Sequence, residues 1–95
     1  MIRDEDAVWI QGILEALLEK LHIGIRYENL ADRDGELSLR GGMCRLRGTR
    51  VIIIDIRLSP RKRCEMMIDA LKGIDMSDVF VPPVLRQLID DSKVT

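Results

Sequence analysis

The residue types that most often perform chemistry are few in this chain and far apart. His22, the only histidine, falls where the first predicted helix ends, and capping of that helix accounts for it. Cys44 and Cys64 stand twenty positions apart without a histidine or further cysteine at metal-binding spacing, so we expect buried, reduced thiols. The sequence has no nucleophile beside a base and no glycine-rich phosphate loop. It therefore predicts no catalytic residues, no metal site, no cofactor and no enzymatic activity.

One carboxylate, Asp55, stands out because it lies within an apolar strand. A buried carboxylate requires a partner, which either Arg57 or an arginine at the start of the next helix can supply. We expect a structural ion pair there rather than a catalytic role. The paired carboxylates Asp32 and Asp34, by contrast, fall in a polar loop where water solvates them.

Positive charge is concentrated in the middle of the chain. Residues 40–63 contain eight lysines and arginines against one acid, whereas the rest of the chain has seven against fifteen, and the formal net charge is −1. Such asymmetry marks an anionic partner, self-association between opposite patches, or a solvated basic belt paired with the acidic helices. The candidate residues for binding nucleic acid or another polyanion are Arg45, Arg47, Arg50, Arg61, Lys62 and Arg63.

The elements that must position these charges form one α+β domain, residues 1–95, since a chain this short can bury only a single core. Apolar residues at spacings of three and four predict a helix from Asp4 to Leu21. A three- to four-stranded, mainly antiparallel sheet with a central hairpin follows. Ser59 as N-cap and Pro60 then predict a long helix ending near Gly73, and a short helix starts at Pro83.

The first strand of this sheet is predicted around Ile23–Tyr27, after which Ala31–Gly35 forms a polar loop. A second strand is predicted around Leu37 and Leu39. Gly41-Gly42 is interpreted as a bulge or bend that interrupts it.

A two-residue turn at Gly48-Thr49 would place Arg47 opposite Arg50 in the hairpin. One face then carries Cys44, Leu46, Val51 and Ile53, which we expect to lie under the helices. The other face carries Met43, Ile52, Ile54 and Ile56 and needs a second cover. We expect that cover to be a second copy of the chain, forming a homodimer, or a protein partner.

Residues 23–73 resemble the start of the ImmA/IrrE type of metallopeptidase domain in the order of strand, hairpin and Leu58-Ser59-Pro60 before a helix. In that family the helix carries a zinc-binding His-Glu-x-x-His, whereas this chain has Ile68-Asp69-Ala70-Leu71-Lys72-Gly73. The resemblance therefore implies a related fold fragment without peptidase activity, which would act as a regulatory protein. The chain also resembles small proteins encoded in bacterial genomes, a likeness that implies no activity.

The sequence thus predicts a non-enzymatic interaction module that associates with itself through the apolar sheet face. Binding of nucleic acid or another polyanion through the basic residues is the alternative. The acidic amino terminus lacks the features of a secretory signal, and no segment reaches the roughly 18 apolar residues of a membrane span. We therefore expect a cytoplasmic protein that does not enter membranes.

Overall fold

Three helices pack on a three-stranded sheet in a computed structural model that describes residues 2–30 and 41–93. This confirms the α+β class. The elements in chain order are α1 (Asp4–Lys20), β1 (Gly24–Glu28), β2 (Gly41–Leu46), β3 (Thr49–Asp55), α2 (Pro60–Leu71) and α3 (Pro83–Ser92). The predicted loop Ala31–Gly35 and the predicted strand around Leu37 and Leu39 lie outside the described residues.

The sheet is mixed rather than mainly antiparallel. Its order is β1-β3-β2, in which β3 is central, antiparallel to β2 and parallel to β1. Glu28 at the end of β1 pairs with Asp55, and Gly41 at the start of β2 pairs with Ile54, so both strands meet the same end of β3. Gly41 and Gly42 are paired strand residues in an unbroken register, so the predicted bulge or bend at these two glycines is wrong.

The hairpin turn lies one residue earlier than the sequence analysis placed it. Arg47 and Gly48 form the turn with φ values of 53° and 82°, so Leu46 pairs with Thr49 and Arg45 pairs with Arg50. Two central residues with positive φ define a type I′ turn, whose right-handed twist matches that of the flanking strands. A β-branched threonine resists positive φ, which explains why Thr49 begins β3 and why the predicted pairing of Arg47 with Arg50 is wrong.

The face predicted to lie free is the one that the helices cover. Ile52 and Ile54 are completely buried, with Ile25 and Met43 beside them, and we call this side the core face. The outer face carries Cys44, Leu46, Val51 and Ile53. The physical reason is that the neighbouring strands place different residues on the two faces. Arg26, Glu28 and Asp55 share the outer face, whereas apolar neighbours from β1 and β2 share the core face.

All three helices contribute to one core. Leu14, Leu17 and Leu18 of α1 meet Met67 and Leu71 of α2, and Leu85 and Ile89 of α3 complete the cluster. Asp4 of α1 lies 3.6 Å from Arg61 of α2, so these two helices start side by side at the end of the sheet where β3 finishes. No helix among residues 2–30 and 41–93 combines the length and apolar character of a membrane span.

The ends of α1 and α2 follow the local sequence signals. Ser59 accepts a hydrogen bond from the Lys62 backbone N–H at 3.3 Å, which confirms it as the N-cap of α2. At the end of α1, His22 adopts a positive φ of 60° and donates to the Glu19 carbonyl, while Ile23 donates to Leu18. This pair of bonds is a Schellman C-cap, so helix capping does account for the position of His22.

Candidate anion-binding site

The hairpin tip, defined as residues 45–50, extends beyond the rest of the sheet. β1 begins at Gly24, which pairs with Val51, so the last two residue pairs of the hairpin and its turn have no third strand beside them among residues 2–30 and 41–93. Every tip residue is exposed except Arg50, which is half-buried. Among the described residues, the result is a two-stranded ribbon whose side chains, apart from that of Arg50, are exposed to solvent.

Two arginines face each other across this ribbon. Arg45 pairs with Arg50 next to the pair that flanks the turn, which is the position where antiparallel side chains come closest, with Cβ atoms about 4.5–5.5 Å apart. Within the described residues, the side chains of Arg45, Arg47 and Arg50 form no ion pair or hydrogen bond. The tip therefore carries three positive charges that the described part of the chain leaves uncompensated.

The turn itself is strained at Arg47. A residue with a Cβ atom at positive φ loses about 1 kcal/mol relative to its ordinary conformation, and the first position of a type I′ turn favours asparagine, aspartate or glycine. Gly48, which follows with φ 82°, is the residue that this turn prefers at its second position. Arg47 thus adds a charge to the tip at a position where arginine is locally unfavourable.

The three basic residues at the start of α2 are placed differently. Arg61 lies 3.6 Å from Asp4 and 4.0 Å from Glu65, and Lys62 lies 3.3 Å from Glu65. Arg63 donates a hydrogen bond of 2.6 Å to the Ile56 carbonyl, and its guanidinium lies 5.5 Å from the centroid of the Tyr27 ring. These residues are compensated or bound within the chain, as the solvated-belt alternative expects.

The two basic groups are also far apart. The turn precedes β3 and the start of α2 follows it, so the seven residues of β3 separate them by about 20 Å. That distance is more than twice the Debye length, which is about 8 Å at physiological salt. The structure therefore brings Arg45, Arg47 and Arg50 together and does not join Arg61, Lys62 and Arg63 to them.

Asp55 has Arg57 as its partner. The Arg57 guanidinium donates to both carboxylate oxygens at 2.6–3.1 Å, and its backbone N–H donates to Oδ1 at 3.0 Å. These hydrogen bonds, led by those from the guanidinium, lower the pKa of Asp55 to about 2. Asp55 is only 5% exposed, so the expected structural ion pair is confirmed, with Arg57 rather than an arginine of α2.

A shallow cavity of about 450 Å³ opens beside this pair, lined by Asp55, Arg57, Leu58, Lys62, Glu65 and Met66. Its acids and bases pair with each other, Asp55 with Arg57 and Glu65 with Lys62. A charged ligand would have to displace one of these partners. The hairpin tip requires no such exchange.

Sequence reasoning missed a polar cluster that ties α1 to β1. The Tyr27 hydroxyl donates to the Glu15 carboxylate, and Gln11 donates to the Tyr27 oxygen at 3.0 Å. Burial and then the hydrogen bond to Glu15 raise the pKa of Tyr27 to about 12. The spacing of Gln11 and Glu15 on one helix face was the available signal, but their meeting with Tyr27 depends on tertiary packing.

The residues predicted for self-association are mostly internal. Ile52 and Ile54 are completely buried within one chain, and Met43 is half-buried against the same core. Only Ile56, which follows the end of β3, is substantially exposed, at 44%. A face packed under α1 and α2 cannot also be the interface with a second copy, so that placement of the interface is wrong.

Comparison of the chain with protein-family models, with curated proteins and with solved structures finds no match. The resemblance to the ImmA/IrrE type of domain stays a prediction.

Proposed function

We propose that this protein is a non-enzymatic interaction module that binds a polyanion through the tip of its β2–β3 hairpin. The observation that carries the proposal is the direct pairing of Arg45 with Arg50, with Arg47 in the adjoining turn and no acidic partner among the described residues. Guanidinium groups bind phosphate and sulfate oxygens through paired N–H donors, so a polyanion is the chemical class that such a site fits.

Local energetics support this assignment. Like charges directly opposite each other destabilise a strand pair by a few tenths of a kcal/mol or more, and an arginine at positive φ costs about 1 kcal/mol. The fold requires arginine at neither of these positions, because the side chains of Arg45 and Arg47 are exposed and contribute nothing to the core. Sequence choices that oppose local stability concentrate at functional sites. A bound anion would convert the repulsion into two favourable contacts.

The acids in the first turn of α1 do not cancel the charge of the tip. Asp4, Glu5 and Asp6 occupy the first turn of α1, which starts beside α2 at the other end of the sheet. The length of β3 places them about 20 Å from the tip, where salt at about 0.15 M screens their charge. An approaching polyanion meets a positive surface at the tip although the net charge of the chain is −1.

Retention on immobilised heparin tests the proposal. The variant Arg45→Gln, Arg47→Asn, Arg50→Gln should elute at markedly lower salt than the parent protein. A control with the same loss of charge, Arg3→Gln, Arg61→Gln, Lys62→Gln, removes three basic residues that are already ion-paired at the far end of the sheet. This control variant should elute at a salt concentration close to that of the parent protein. Equal losses in both variants, or no retention of the parent at about 50 mM salt, would overturn the proposal.

A further inference from the structure

We infer that the polyanion is double-helical DNA, which the β2–β3 ribbon enters by the major groove. This inference rests on the proposed function and specifies its ligand. It is drawn from three properties of the hairpin tip: the shape of the ribbon, the side chains on its two faces, and the absence of aromatic residues from residues 45–50.

The shape of the ribbon matches the major groove of B-form DNA. That groove is about 12 Å wide and about 8.5 Å deep and admits a two-stranded β-ribbon. Beyond the pair of Cys44 with Val51, where β1 begins, the ribbon continues for two more residue pairs and then the turn. Two pairs span about 7 Å at the rise of a β-strand, so the projecting part is about as long as the groove is deep.

The narrow end of the ribbon also suits insertion. The turn contains only two residues, and Gly48 has no side chain to widen it. Apart from Gly48 and its two chain neighbours, no heavy atom of the described residues lies within 4 Å of the position that a Cβ on Gly48 would take, so the end of the hairpin is open on that side. Backbone at this point can approach the base edges closely.

The two faces of the ribbon offer different chemistry. Arg45 and Arg50 share one face and can donate to phosphates on the groove wall or to the O6 and N7 atoms of guanine. Leu46 and Thr49 share the other face and can contact thymine methyl groups and base edges. Leu46 is 41% exposed in the isolated chain, and a groove contact gives this exposed apolar residue a role.

Other nucleic acids fit the tip less well. Proteins that bind single strands stack bases on aromatic side chains, and residues 45–50 contain none. Of the three aromatic residues, Tyr27 is bound to Glu15 and Gln11, Trp9 lies on α1, and Phe80 lies between α2 and α3. The major groove of A-form RNA is too deep and narrow for side chains to read. Duplex DNA is therefore the nucleic acid that this surface favours.

Fluorescence anisotropy with three labelled probes of one mixed sequence tests the inference: duplex DNA, single-stranded DNA and duplex RNA. We expect duplex DNA to bind at least about tenfold more tightly than the other two. Its log affinity should fall with log salt at a slope of about −3, as three phosphate contacts predict, between about 50 and 200 mM. Arg45→Gln with Arg50→Gln should weaken binding by about tenfold or more and reduce that slope.

The variant Leu46→Ser separates this inference from the proposed function. It should weaken binding to duplex DNA several-fold while leaving elution from heparin unchanged, because sulfate groups make no use of an apolar side chain. Equal affinity for all three probes, or tighter binding of RNA or single strands, would overturn the inference and leave polyanion binding standing. Failure to bind heparin as well as DNA would overturn both.

Discussion

Asp55 and Arg57 govern how the stability of this protein depends on pH at the acid end. The folded pKa of Asp55, about 2, lies below its ordinary value of 3.8, so the pair contributes its full stability above about pH 4. That contribution is lost as pH falls through about 2. Asp55→Asn should therefore flatten the fall in the free energy of unfolding between about pH 4 and 2, measured by urea denaturation at a series of pH values. If the free energy of unfolding of the variant falls just as steeply between these pH values, another carboxylate controls acid unfolding.

The two cysteines should differ sharply in reactivity. Cys64 is completely buried, and its thiol donates to the Ala7 carbonyl at 3.3 Å. Burial, with Glu15 and Glu65 nearby, raises its pKa to about 11, which suppresses the reactive thiolate. Cys44 is half-buried on the outer face. We expect a thiol reagent to label one cysteine quickly in the native protein and the second only on unfolding, with Cys44→Ser removing the fast phase. Rapid labelling of Cys64 in that variant would contradict this burial.

At the scale of elements, the hairpin turn should show a conflict between stability and binding. Arg47→Asn places at the positive-φ position a residue that tolerates it, so the free energy of unfolding should rise by about 1 kcal/mol. The same change removes one charge from the tip and should lower retention on heparin. Arg47→Val removes the same charge but introduces a β-branched residue and should destabilise the protein. Chemical denaturation followed by circular dichroism measures both, and a less stable Arg47→Asn variant would be the contrary result.

Local signals located the three helices and predicted strands at β1 and β3, but they did not predict how the strands pair. Ser59 and Pro60 mark the start of α2, and the apolar spacing of α1 marks its length, because caps and periodicity are properties of neighbouring residues. The parallel pairing of β1 with β3 was missed, since it joins residues 24–28 to residues 51–55 and leaves no local trace. The core face was misassigned because isoleucine and valine occupy both faces of β3, and only the partners on β1 and β2 distinguish them.

For the candidate site too, the sequence identified the residues that could take part but not the partners that the fold places beside them. The sequence identified all six basic residues as candidates, but it could not show that Arg61 and Lys62 meet acids or that Arg63 binds the Ile56 carbonyl. Arg61 lies beside Asp4 only because α1 and α2 start at the same end of the sheet, and the two residues are far apart in the chain. Tertiary structure thus reduces six candidates to Arg45, Arg47 and Arg50, which are close in sequence and remain uncompensated within the described residues.

For the molecule as a whole, we expect the positions of the charges to affect association with a polyanion more than the net charge does. Acids in the first turn of α1 and unpaired arginines at the hairpin tip occupy opposite ends of one sheet, about 20 Å apart along β3. The net charge of −1 therefore does not describe the hairpin tip, where three arginines have no acidic partner among the described residues. If the proposed function holds, we expect the tip to orient the protein towards a polyanion before contact, so that association is faster at low ionic strength and slows as salt rises.

The same architecture predicts that the core face belongs to a single chain. Ile54 is completely buried between the sheet and the helices, so Ile54→Ala should lower the free energy of unfolding by about 2–5 kcal/mol. Because the contacts are intramolecular, the loss should not depend on protein concentration, as denaturation at two concentrations a hundredfold apart would establish. Leu46→Ser, at an exposed position of the outer face, is the matched control and should leave stability nearly unchanged. A small loss for Ile54→Ala that grows on dilution would instead return Ile54 to an interface between two copies of the chain.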